Sequence, residues 1–127
     1  MAEEFYRAAN EYQSGGLSIS ITNASLPFWQ YFAPDNTYSA GQTIGSKDSK
    51  YSGMIDSLKG WGDAFMRRVK YHTPSDNRLA EEFHRDSGVP KGAADLTWSY
   101  ASVITASIAR AQANGDGGYL SSLADPR

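Results

Sequence analysis

The chain has no cysteine in its 127 residues, so neither a disulfide framework nor a thiolate-bound metal can hold it together, although this alone does not decide its compartment. It has only two histidines, and His72 and His84 lack the i, i+4 spacing of a helical metal site; no metal is expected. Nor does any stretch approach the roughly 20 apolar residues of a membrane span, so no membrane partner is expected. The formal net charge of −2 is too small for a phosphate-binding surface, and basic residues do not interleave with aromatics, so nucleic acid is not an expected partner either. A phosphate loop, a nucleophile elbow and an internal repeat of convincing period are all missing, and no cofactor is expected. The opening Met1-Ala2-Glu3-Glu4-Phe5-Tyr6-Arg7 is acidic where a secretory signal is basic, and no apolar run follows it; no export signal is expected in these residues.

What remains is a helical pattern. Phe5, Ala8, Ala9 and Tyr12 recur at three- and four-residue steps and predict a helix that ends before Gly15-Gly16. Leu17, Ile19 and Ile21 alternate with serines, as a short half-buried strand would. From Ser25 to Phe32 a short helix is predicted, with Pro27 tolerated in its first turn and its aromatics in the core. Pro34 to Lys50 lacks periodicity and reads as a surface loop. A long amphipathic helix follows, marked by Tyr51, Met54, Ile55, Leu58, Phe65 and Val69, and running to about Tyr71. Gly60 and Gly62 weaken it and are read as places where another helix approaches closely. After an irregular stretch from His72 to Ala94, Asp95 is predicted to cap a last helix with a stripe of Leu96, Tyr100, Val103, Ile104 and Ile108, ending at Asn114-Gly115.

The most informative segment is Leu79 to Tyr100. It holds Ala80-Glu81-Glu82-Phe83 and then, at a helix start, Asp95-Leu96-Thr97-Trp98-Ser99-Tyr100. An acidic pair before an aromatic is ordinarily a solvated face. At this distance from the second motif, however, it resembles the general-base segment of fungal glucoamylases, glycoside hydrolase family 15. The likeness runs through Ala2–Ala8, Leu17–Phe32 and Tyr51–Phe65 to about Arg110, and it corresponds to the last third or so of the family's catalytic domain.

The resemblance implies an all-α fold, the C-terminal portion of an (α/α)6 toroid, with residues 1–113 in the catalytic domain and 114–127 a tail or linker start. It implies that the stripes on the first, long and last helices face partners supplied mostly by helices outside this chain. It favours an extended connection, without a sheet partner, at Leu17–Ile21. The implied activity is that of a glucan 1,4-alpha-glucosidase: inverting release of beta-glucose from starch and maltooligosaccharides by a secreted, glycosylated enzyme. Inversion needs a carboxylic acid to protonate the leaving oxygen and a carboxylate to take a proton from the attacking water. The resemblance gives the base role to Glu81 and places the acid upstream of Met1, so the chain alone is expected to be inactive; the alternative is a non-catalytic helical remnant or interaction module.

Glu82 stands where the family often has Gln. As its neighbour in an extended segment it is expected to point away from Glu81, toward solvent or a cation such as Arg85. Ala94 stands where many members have Arg, which removes any ion pair made there. Trp98 is a candidate sugar-stacking residue and Tyr100 is read as core. Asn23-Ala24-Ser25 is a sequon, making Asn23 a candidate glycosylation acceptor, with a helix-capping role for Asn23 or Ser25 as the alternative.

Overall fold

The computed structural model describes residues 1–116. The stretch read as a tail or linker start lies outside the described residues from position 117 onward. Among the described residues, four helices and two short antiparallel ladders follow in the order α1 (Ala2–Gly15), β1 (Ile19–Ser20), α2 (Leu26–Phe32), β2 (Thr43–Ile44), α3 (Ser49–His72), β3 (Glu82–Phe83), β4 (Pro90–Lys91) and α4 (Thr97–Ala113). The chain is mostly helical rather than purely so. No helix among the described residues is long and apolar enough to cross a membrane.

α1 is the central element, packing against both α3 and α4. Its stripe is therefore covered within the chain, contrary to the expectation of outside partners: Phe5, Tyr6 and Ala9 meet Tyr51, Met54, Ile55 and Leu58 of α3, all at most 7% exposed. Gly16 stops α1 in the left-handed region at φ 58, where glycine carries no Cβ penalty, and the Leu17 N–H closes onto Tyr12 O at 3.0 Å. Tyr51 then ties the start of α3 to this corner, its hydroxyl lying 2.7 Å from Tyr12 O and 3.0 Å from Leu17 O.

The segment after α1 does have a sheet partner. Ile19 pairs with Ile44 and Ser20 with Thr43, and both isoleucines are fully buried. Two buried β-branched residues bring their backbone with them, and pairing satisfies its polar groups. For the same reason Pro34–Lys50 is not simply a surface loop, since Tyr38 and Ile44 are core residues.

In α2 the aromatics divide. Trp29 is buried, whereas Phe28 and Tyr31 are exposed on the outside of a cluster in which Phe32 contacts Phe5 and Trp61 with ring centroids about 5 Å apart. A seven-residue helix has room for one buried face, not for four core aromatics.

α4 also differs from the expected stripe. Its buried face is Ala106, Ala109 and Ala113, against α1, while Ile104 is exposed. Small residues let the two axes approach closely, so the alanine row wins over the bulkier one. Asp63 of α3 fastens both helices: the Tyr6 hydroxyl of α1 donates to its Oδ1 at 2.6 Å, and Arg110 Nε of α4 donates to the same oxygen at 2.7 Å. Burial, followed by the Asp63 contact, pushes the Tyr6 hydroxyl up to about 12. The Arg110 bond is the main cause holding Asp63 below the usual carboxylate range.

The two α3 glycines separate in the same way. A Cβ on Gly62 would lie 2.6 Å from a Tyr6 ring carbon, so this is the close approach read from sequence; Gly60 is exposed and faces open space.

Candidate active site

The irregular stretch between α3 and α4 is a small hairpin. β3 pairs with β4, Glu82 opposite Lys91 and Phe83 opposite Pro90. His84 builds its turn: its Nδ1 accepts from the N–H groups of Asp86 and Ser87, both at 3.3 Å, while its carbonyl takes the Gly88 N–H at 2.7 Å. The His72 ring packs against Phe83, with centroids 5.2 Å apart. The two histidines thus serve the hairpin. Among the described residues no group of three His, Cys, Asp or Glu side chains comes together as a metal site.

Glu81 immediately precedes β3. Its backbone N–H donates to Ala93 O at 2.9 Å, and its carboxylate Oε2 accepts from the Ala93 N–H at 3.2 Å. The second oxygen has no hydrogen-bond partner among the described residues, and the residue is exposed. Gly92 makes this geometry possible, because a Cβ there would fall 2.6 Å from Oε2 and the backbone sits at φ 77. Glu82 has its cation in Lys91, at 3.2 Å across the ladder, rather than in Arg85, and it lines the same groove as Glu81. Arg85 instead lies 3.8 Å from Asp86.

The start of α4 is joined to the segment before Glu81. Leu96 N–H donates to Leu79 O at 3.0 Å, Ser99 Oγ to Ala80 O at 2.9 Å, and Leu79 N–H to the Tyr100 hydroxyl at 3.2 Å. Asp95 is not the cap. Leu96 holds that position without a side-chain bond, and the Asp95 carboxylate accepts from the Tyr100 hydroxyl at 2.6 Å. A hydroxyl on Tyr100 that can satisfy two partners is of more use there than a core ring, which accounts for Tyr100 being half-buried rather than core. The Asp95 bond is also the first cause raising the Tyr100 hydroxyl above the ordinary tyrosine range. Ala94, exposed, lines a small pocket with Arg78 and Lys91.

Glu81, Glu82, Phe83 and Trp98 line one groove of about 270 Å³, together with Val69, Leu79 and Val103. Trp98 is 62% exposed there, so its indole is available rather than committed to a core. Asn23 lies elsewhere, exposed in the turn between β1 and α2. Neither sequon residue caps α2 through its side chain. Thr22 and Ser25 bond reciprocally, Thr22 N–H to Ser25 Oγ at 2.9 Å and Ser25 N–H to Thr22 Oγ1 at 3.0 Å.

Residues 1–108, most of the chain, match glycosyl hydrolases family 15. The chain belongs to that family. It is 49% identical over 125 residues to a glucoamylase of Blastobotrys adeninivorans, covering 98% of this chain and 20% of that protein. Glucoamylase-1 of Schizophyllum commune is 41% identical over 110 residues, which is 87% of this chain and 18% of the relative. Among solved structures, the family 15 glucoamylase of Hypocrea jecorina superposes with a TM-score of 0.77 at 38% identity, over 87% of this chain and 18% of that one. The glucoamylase of Saccharomycopsis fibuligera gives 0.80 at 26% identity, covering 89% and 24%. The chain therefore spans about a fifth of the length of the family 15 relatives it matches.

Within this family 15 segment, sequence reading singled out Glu81 and Trp98, and the fold brings both to one groove. It missed Ser99, the Ala93 backbone and Lys91. The signal for Ser99 was present, as a polar residue in the first turn of a helix whose other contacts are unspecified, but its partner is a carbonyl and leaves no trace in sequence.

Proposed function

We propose that this chain supplies the general-base segment of an inverting glucan 1,4-alpha-glucosidase, with Glu81 as the base. Its helices belong to an (α/α)6 toroid completed by the four-fifths of the family's length that this chain does not span, and the general acid comes from there. Starch and maltooligosaccharides are the substrates, and the complete protein is secreted. The observation that carries the reading is the state of Glu81: one carboxylate oxygen accepts from Ala93 N–H, the other has no hydrogen-bond partner among the described residues, and the residue lines the same groove as Trp98. A carboxylate so held presents a lone pair in a defined direction to a water attacking the anomeric carbon, and the indole face of Trp98 offers an apolar surface to a glucose ring. Glu82, ion-paired with Lys91 across the ladder, is assigned no part in the proton transfer.

The test is a full-length Blastobotrys adeninivorans glucoamylase in which residues 1–113 of this chain replace the matching segment. Glu81→Gln keeps the shape of the side chain but cannot accept the proton, and removal of a general base costs about 10² to 10⁴ in kcat. KM for maltose stays near its starting value. The chain by itself, lacking the acid, releases no glucose from maltose or soluble starch. A near-normal kcat for Glu81→Gln, with Glu82→Gln inactive, moves the base to the neighbouring position.

A further inference from the structure

Between Thr73 and Thr105, Ala80 is the only buried residue. Apolar packing therefore gives the segment around Glu81 little hold, and hydrogen bonds supply the rest. The peptide unit joining Ala80 to Glu81 is held at both polar atoms, its carbonyl by Ser99 Oγ and its N–H by Ala93 O, each at 2.9 Å. One residue earlier Leu79 is gripped twice, its carbonyl by Leu96 N–H and its N–H by the Tyr100 hydroxyl. That hydroxyl is itself aimed, since its proton is given to Asp95 Oδ1 at 2.6 Å and its lone pairs are left for Leu79.

We propose that Ser99 and Tyr100 are positioning residues for the Glu81 carboxylate, acting through the backbone of Leu79 and Ala80. The inference rests on the reading of Glu81 as general base and adds to it what holds that base in place. Ser99 and Tyr100 lie in the first turn of α4, a rigid element, and each converts the position of that helix into a constraint on the extended segment. A general base displaced by about 1 Å from its water loses on the order of 10²-fold in rate, which sets the size of the effect.

The experiment uses the same full-length chimera. Tyr100→Phe and Ser99→Ala each lower kcat on maltose by about 10- to 100-fold. KM stays within about twofold and the thermal midpoint of the enzyme is unchanged. Ser99→Thr, which keeps the hydroxyl, restores most of kcat. In a Glu81→Gln background, adding Tyr100→Phe or Ser99→Ala leaves the residual rate where it was, because no base remains to be positioned. A purely structural role predicts the same fold-loss in both backgrounds, and that result overturns the proposal. Full activity of both single variants overturns it as well, while an inactive Glu81→Gln alongside them leaves the base assignment standing. Should Glu81→Gln itself retain kcat, the base reading fails and this inference fails with it.

Discussion

Gly60 and Gly62 sit two residues apart in α3, and an alanine at each should shift stability in opposite directions. At Gly62 the new methyl would lie 2.6, 2.7 and 2.9 Å from three carbons of the Tyr6 ring, against a carbon–carbon optimum of about 3.5 to 4.0 Å. Either the ring or the α1 axis must move by about 1 Å. The ring cannot swing freely, because Tyr6 is 1% exposed and its hydroxyl is bonded to Asp63. Overpacking of this kind costs about 1 to 3 kcal/mol, and weakening a hydrogen bond to a charged acceptor adds about 1.5 kcal/mol. Alanine returns about 1 kcal/mol of helix propensity, leaving a net loss of about 2 kcal/mol. At Gly60 nothing lies within 4 Å, so only the propensity gain applies and the variant is more stable by about 0.5 to 1 kcal/mol. Urea titrations of the chain, followed by tryptophan fluorescence and by circular dichroism, read both changes as shifts of midpoint at constant slope. A Gly62→Ala variant as stable as Gly60→Ala would refute the close packing of α1 on α3.

Two further outcomes follow from the same contacts and from the turn before α2. Arg110 and Tyr6 hold Asp63 below its unfolded value of about 3.9, so the stability this carboxylate contributes is present above that pH and is lost as pH falls through the lower folded value. Asp63→Asn therefore flattens the acid limb of stability against pH and, since Asp63 is 32% and Arg110 49% exposed, costs only about 1 kcal/mol at pH 7 in urea titrations. Expressed through a eukaryotic secretory pathway, the protein carries a glycan on exposed Asn23 that an endoglycosidase removes, and Asn23→Gln abolishes the mass shift; an unshifted wild-type band would show that the sequon is not used.

Helix positions were legible because their evidence is local. Periodicity placed α1 and α3 nearly to their ends, and Gly16 marked a real stop. The partners of those helices were not legible: the stripes say that Phe5 and Met54 are buried, but not that they bury each other. Non-local pairing hid the β1–β2 ladder, because Ile44 sits alone among polar residues and becomes core only when Ile19 lies opposite. In α4 the large residues drew attention away from Ala106, Ala109 and Ala113, whose value lies in what they permit α1 to do. At the site, Glu81 and Trp98 were found through a family pattern. The bonds that set their geometry run largely to backbone atoms of Leu79, Ala80 and Ala93, and a carbonyl is the same in every residue.

The anchoring of the segment before Glu81 by main-chain atoms bears on how freely this part of the protein can vary. Substituting Leu79 or Ala93 changes a side chain but not the carbonyl or N–H that makes the bond, and the hairpin turn from Arg85 to Val89 touches none of the anchors. Mutational drift can therefore accumulate in the loop beside the site, altering its outline and charge, while the direction of Glu81 is inherited unchanged. The geometry is carried by a few side chains on α4 and by Gly92; within the turn only Gly88 is constrained, since a Cβ there would run into the His72 ring, so a loop library at 85–87 and 89 leaves the direction of Glu81 in place.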